Sequence, residues 1–367
     1  NKQQDRKHAT ESSLYPQPYP PGSESLSKIS GGDFSSVDHF FVSLSSLVVV
    51  GSVAWVPLTF VWLWKKWKKS KKGSSRRALY ATLIIAFIGC NILGPHRYPS
   101  FGAWLRVRNW SLWKMWLRFV AFEVVADSPT AKENFSKEKQ AILAITPHGT
   151  FPFGLAFAAL PEQATQAFGY FRPVVATATN LFPFVNTFLK WLESIDASRA
   201  AVNQALKEGY RVGVAPDGIA AMFEGYPKPG TLPEEEYVVA RHKGFIKMAV
   251  KHGLPIVPVY CFGASKMLRR LQLPSFFEKI SKVLRISIVI IYGAFGLPIP
   301  FRQRLLYTVG DPIYPRYIQE NVARPVDPEI LKIQIDEMHS KYCNSLTNMF
   351  ERHKESYGWG NKVLKLV

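Results

Sequence analysis

The 367-residue chain is 47% hydrophobic and 20% charged, with a formal charge of +19; this excludes a disordered or collagen-like polymer, and the length suffices for a sizeable buried core. Cys90, Cys261 and Cys343 are odd in number and far apart, which leaves no disulfide framework or cysteine metal cluster and points to a reducing compartment. A basic balance of this size calls for a polyanionic substrate, an anionic membrane surface or nucleic acid.

From the N-terminus, residues 1–38 are rich in Ser, Pro, Tyr and Gly and read as a flexible tail. Phe40 to Trp64 is a run of 25 residues without a charge. As a helix it is long enough to cross the roughly 30 Å hydrocarbon core of a bilayer, with a kink at Pro57. It is also too long for the apolar core of a cleavable signal. Eight Lys and Arg and no acid follow at 65–77, then a second uncharged run from Ala78 to Pro95, short for a crossing. Residues 39–96 therefore read as a membrane-embedded segment with a basic loop at 65–77. Half-insertion of the second run keeps that loop cytosolic, whereas a glycan on Asn109 or Asn134 would reverse the orientation. From 97 to 135, Trp104, Trp110, Trp113 and Trp116 interleave with Arg106, Arg108, Lys114 and Arg118, a mixture suited to the headgroup level. No base-reading module accompanies it, so nucleic acid is not expected as a partner.

Residues 136–367 change to an α/β pattern. Strands are predicted at Ala141–Ile145, Val174–Ala178, Arg211–Ala215, Ile256–Tyr260, Ile286–Tyr292 and Leu305–Val309. Ser198 caps a helix that stops at Gly209, and a second runs from Arg241 to His252. A long helix from Pro328 buries Leu331, Ile335, Met338, Tyr342, Leu346 and Met349 on one face. The expected fold is a mostly parallel central sheet flanked by helices, preceded by the membrane-embedded helical segment.

No G-x4-G-K-[ST] loop, dinucleotide fingerprint, H-E-x-x-H or G-x-S-x-G elbow is present in the sequence, which removes nucleotide hydrolysis, zinc proteolysis and the usual serine lipase. The turn after the first strand holds Pro147, His148 and Gly149, with the imidazole at the carboxyl end of a strand, where open α/β sheets bind ligands. Two other strands end at the same edge: one leads to a turn with Asp217 and a predicted helix bearing Glu224, the other to Gly263.

Thr146-Pro147-His148-Gly149, His242-Lys243-Gly244-Phe245 through Ala249, Val257–Gly263, 295–302, 309–315 and 342–358 resemble, in order and spacing, the blocks of the type-2 diacylglycerol acyltransferases, a branch of the glycerolipid acyltransferase superfamily. The resemblance covers roughly residues 80–367. It implies a glycerolipid acyltransferase-like fold and an endoplasmic-reticulum enzyme with a cytosolic catalytic part, with lipid droplets as a second location. It also implies transfer of an acyl chain from acyl-CoA to diacylglycerol; wax-ester or monoacylglycerol synthesis and a non-catalytic lipid-binding scaffold are the alternatives. Acyl-CoA is then a co-substrate and neither cofactor nor metal is required, while the oligomeric state, homo-oligomer included, stays open. His148 is the candidate base, because attack of an alcohol on a thioester needs a proton acceptor in a site shielded from water. Pro147, Gly149, Gly244, Phe245 and Gly263 belong to the substrate-binding blocks, and Arg241 and Lys243, with Lys247, offer counter-charge to the CoA phosphates. The family's first histidine is Thr146 here, and its expected orienting acids fall on Phe153 and Ala221. Asp217 is the first candidate to replace them and Glu224, one helical turn beyond Ala221, the second. Ala220 occupies the place of the superfamily's phosphate-binding arginine, which favours a neutral acceptor.

Overall fold

The computed structural model describes residues 18–32, 34–93, 104–160, 162–181, 183–284, 288–316 and 327–367. Residues 1–17 of the expected tail, 94–95 of the second apolar run, the start of the 97–135 segment and 286–287 of a predicted strand lie outside them. In chain order, β1 (Glu24–Lys28) precedes α1 (Ser36–Val49), α2 (Ser52–Lys69), α3 (Ser75–Leu93) and the short α4 (Leu112–Phe119). Then come β2 (Glu123–Ala126), β3 (Ile142–Thr146), α5 (Phe153–Ala159), β4 (Phe171–Val175), α6 (Pro183–Trp191), β5 (Ile195–Asp196), α7 (Arg199–Lys207) and β6 (Arg211–Val214). The chain continues through β7 (Glu235–Val238), α8 (Gly244–His252), β8 (Ile256–Phe262), β9 (Arg269–Arg270), α9 (Ser275–Leu284), β10 (Ile291–Tyr292), β11 (Leu306–Val309), α10 (Pro328–Tyr357) and β12 (Val363–Leu366).

Eight strands form one sheet in the order β1-β2-β11-β8-β3-β6-β4-β5. The stretch β8-β3-β6-β4-β5 is parallel, whereas β11 runs antiparallel to β8 and β1 antiparallel to β2. The α/β expectation holds, with a mixed sheet. Successive residues of β3 and β8 go to opposite cores: Leu143, Ile145, Val257 and Val259 to one, Ile142, Ala144, Ile256 and Tyr260 to the other. Burial on both faces is why these strands are unbroken apolar runs rather than alternating ones. The first core lies under α1, α4 and α5, the second under α7, α8 and α10. α10 is capped by Asp327 and ends at Gly358 in the left-handed conformation. Its residues Ile335, Met338, Tyr342, Leu346 and Met349 are buried and Leu331 packs at the margin, as the spacing predicts. Ile291 and Tyr292 pair with β9, outside the main sheet.

The expected single span from Phe40 to Trp64 does not form. Helices α1 and α2 meet at 58° across Val50 and Gly51; among the described residues no single helix is long and apolar enough to cross a membrane, although this bent pair together could. The break falls at Gly51 rather than Pro57, which sits inside α2. A Cβ at Gly51 would collide with the Leu47 carbonyl, and α1 is fastened to the α/β body. Ser46 Oγ donates to the Pro298 carbonyl at 2.6 Å, Trp116 Nε1 to Ser45 Oγ at 3.0 Å, and Arg118 pairs with the buried Asp38 at 2.7 Å. Helices α2 and α3 form a hairpin, with Phe60 against Phe87 and Trp62 against Tyr80. The eight basic residues lie at and beside its tip, and Leu58, Val61, Leu79 and Ile85 are exposed on its flanks.

Candidate active site

Neighbouring parallel strands β3 and β6 end side by side, which brings the turn after each to the same sheet edge. Gly149, at φ 75°, makes the first turn possible: a Cβ there would stand 2.5 Å from the Ala264 carbonyl oxygen. The second turn, Pro216-Asp217-Gly218, also ends in a positive-φ glycine. The two turns lock together. The main-chain N–H of His148 donates to Asp217 Oδ2 at 2.9 Å, and His148 Nε2 donates to the Gly218 carbonyl at 2.7 Å. A carbonyl only accepts, so Nε2 carries the proton and Nδ1 the free lone pair. Nδ1 has no hydrogen-bond partner among the described residues, nor has Asp217 Oδ1, which lies 3.9 Å from Nε2. Asp217 is fully buried, and burial pushes its carboxyl above the usual carboxylate range against the opposing pull of His148.

His148 opens onto a cavity of about 1000 Å³ walled by α1, α4, α5, α6 and the ends of β4 and β6. Phe41, Leu44, Trp113, Phe153, Phe188 and Met222 represent a lining that is almost entirely apolar. Arg106 stands in the wall and is exposed at the surface. Among the described side chains lining this space, His148 is the one imidazole.

The other sequence candidates fall elsewhere. Glu224 does not share a helical face with position 221, because the segment is a single 3-10 turn, Ile219–Met222; its carboxylate pairs with Lys228 at 2.9 Å. Helix α8 starts at Gly244 rather than at Arg241. Lys243 is not beside the cavity but pairs with Asp336 on α10 at 2.7 Å, and Arg241 and Lys247 are exposed and do not line the cavity. Phe245 is buried against Tyr342, and Gly263 lets the chain pass the Arg304 carbonyl. Pro147 and Gly149 shape the turn that carries His148. Thr146 lies in the core, its hydroxyl 3.3 Å from that of Tyr342.

Three supports went unrecognised in the sequence. His242 Nδ1 donates to the Pro216 carbonyl at 3.0 Å and His339 Nε2 to the Ala240 carbonyl at 2.7 Å, so α10 and the residues before α8 hold the Asp217 turn. Buried Glu236 accepts from Ser265 Oγ at 2.8 Å and pairs with Lys266, fixing the loop against which Gly149 packs. The Gly218 carbonyl, the actual partner of the imidazole, has no side-chain signature; only the P-D-G turn hints at it.

A buried imidazole thus lines a large apolar chamber at a sheet edge. The diacylglycerol acyltransferase family model matches residues 79–367, and the chain belongs to that family: it is an acyltransferase. It is 27% identical over 280 residues to diacylglycerol O-acyltransferase 2-like protein 6 of Bos taurus, covering 70% of this chain and 76% of that one. Identity is 23% to acyl-CoA wax alcohol acyltransferase 1 of Homo sapiens (82% and 83% covered) and 24% to diacylglycerol O-acyltransferase 2 of Bos taurus (82% and 76% covered). A solved 1-acyl-sn-glycerophosphate acyltransferase, PlsC of Thermotoga maritima, superposes with a TM-score of 0.36 at 13% identity over 84% of this chain and 96% of that one.

Proposed function

We propose that this chain moves an acyl group from acyl-CoA to the hydroxyl of a neutral lipid, diacylglycerol first, with His148 as base. The observation that carries the reading is the His148 imidazole in the wall of the apolar cavity, its Nδ1 buried and without a hydrogen-bond partner among the described residues. Burying an acyl chain there contributes about 0.8 kcal/mol per methylene and keeps water from the thioester. Nδ1 takes the hydroxyl proton as the oxygen attacks the thioester carbon. A C–O bond forms, the C–S bond breaks, and the proton passes from Nδ1 to the departing CoA sulfur. Asp217 steadies the imidazolium across 3.9 Å and holds the backbone of its turn; no cofactor or metal enters the step. Ile219 and Met222 line the wall near the Gly218 carbonyl, and Ala220 between them offers no cation to a phosphate, so a neutral acceptor fits. Monoacylglycerol and long-chain alcohols are neutral as well. The exposed apolar hairpin and its basic tip suit an endoplasmic-reticulum membrane with the α/β body on the cytosolic side, and a lipid-droplet monolayer has the same chemistry.

The test uses microsomes from cells without triacylglycerol synthesis, given labelled acyl-CoA and diacylglycerol, monoacylglycerol or hexadecanol. Triacylglycerol is the expected product, absent with His148→Ala. Wax ester or diacylglycerol alone would change the acceptor, and an inactive wild type with all three would leave a non-catalytic lipid-binding protein.

A further inference from the structure

We infer that the α9 helix and the loop after β10 form a second contact with the lipid surface, separate from the α2–α3 hairpin. The amphipathic α9 turns Ser281 inward, where its hydroxyl accepts from the Ile288 N–H, and Glu278 toward Lys228. The side left outside carries Phe276, Ile280, Val283 and Leu284, with Val283 81% exposed. After β10, the loop Gly293–Leu297 holds Phe295 at φ 57°, a conformation that disfavours a large side chain, and leaves it 86% exposed. Hydrogen bonds from Gly293 N–H to the Leu297 carbonyl (2.6 Å) and from Ala294 N–H to the Ile299 carbonyl (2.7 Å) fix that tip. A strained turn that presents a phenylalanine to solvent serves no packing among the described residues.

Charge and position identify the occupant. Among the described residues of 264–304, Arg269 and Lys279 are exposed cations, and the one acid of this stretch, Glu278, is turned inward to Lys228. An apolar face bordered by cations fits a leaflet with anionic headgroups. The patch also adjoins α1: Pro298, next to Leu297, accepts from Ser46, and α1 leaves Val37 and Phe40 exposed. Membrane contact at α9 and Phe295 as well as at the hairpin fixes the orientation of the body, so that the α1 wall of the cavity rests at the acyl-chain level. The inference does not require the acyltransferase chemistry.

The experiment uses the full chain with Cys90 and Cys343 replaced by serine and one new cysteine, Val283→Cys, Phe295→Cys, Leu58→Cys in the hairpin or Lys207→Cys on exposed α7. Each is labelled with an environment-sensitive nitrobenzoxadiazole and reconstituted in phosphatidylcholine–phosphatidylinositol vesicles, with unchanged circular dichroism as the folding control. The expected result is a blue shift at 283 and 295, with quenching by lipids brominated near the headgroup boundary, about 5–10 Å deep, and neither effect at 207. Labels at 283 and 295 that behave like the one at 207 overturn the second contact, whether or not 58 is quenched. Loss of quenching at 58 as well would remove the hairpin's membrane role without bearing on His148.

Discussion

His148 gives one ring nitrogen to the Gly218 carbonyl and keeps the other buried and without a hydrogen-bond partner among the described residues, and the neighbouring carboxylate separates a positioning role from a charge role. Asp217→Asn keeps an acceptor for the His148 N–H and loses the charge, so turnover should fall about 10–100-fold, the value of a charge-assisted interaction, with KM little changed. Stability responds separately. Because burial raises the folded pKa of Asp217, the wild type loses stability as pH climbs from the unfolded value of about 3.9 toward the folded one. The melting temperature of Asp217→Asn minus that of the wild type should therefore grow with pH across that window; a flat difference would contradict it. Glu224→Ala removes only the pair with Lys228 and should leave activity unchanged and cost about 0.5 kcal/mol by denaturant titration. His148 and Asp217 were legible because each follows a predicted strand and sits in a Pro or Gly turn. Glu224 misled because it shares a face with position 221 only at a 3.6-residue period, whereas the chain after Gly218 makes a 3-10 turn. The Gly218 carbonyl was invisible because every residue has one.

At the scale of elements, α1 shows what composition alone cannot separate. A lipid-facing helix and a helix walling an apolar cavity are written in the same residues, so the run from Phe40 read as part of one span. The capping box of Ser35 and Asp38, the Asp38–Arg118 pair and the hydrogen bonds of Ser45 and Ser46 mark α1 as docked. Arg118 holds the Asp38 carboxyl below its usual range, so this pair stabilises above about pH 4 and its contribution is lost on acidification through the folded pKa. Asp38→Ala should destabilise by about 1.5–3 kcal/mol at neutral pH, expose α1 to limited proteolysis and lose activity as the cavity opens. Its melting temperature and that of the wild type should converge in acid. Strands β3, β6 and β8 were readable because both of their faces are buried; β1, β7 and β12, short and partly exposed, carry no such run. Gly149→Ala adds a left-handed penalty of about 1–2 kcal/mol to the clash with Ala264, and urea unfolding should show at least that loss.

For the whole molecule, one chamber joins the apolar N-terminal elements to the α/β body, with the imidazole in its wall. The sequence reading separated these parts into a membrane segment and an α/β domain because nothing in linear order shows that α1 and the Trp-rich α4 wall the cavity that His148 lines. The most direct test is the turnover number of the purified full chain with acyl-CoA and diacylglycerol, wild type against His148→Gln. Glutamine keeps an amide donor for the Gly218 carbonyl but has no basic nitrogen. Turnover should drop about 10²–10⁴-fold with the melting temperature retained, whereas a folded His148→Gln enzyme working within a few-fold of the wild type would contradict the assignment of His148 as the base.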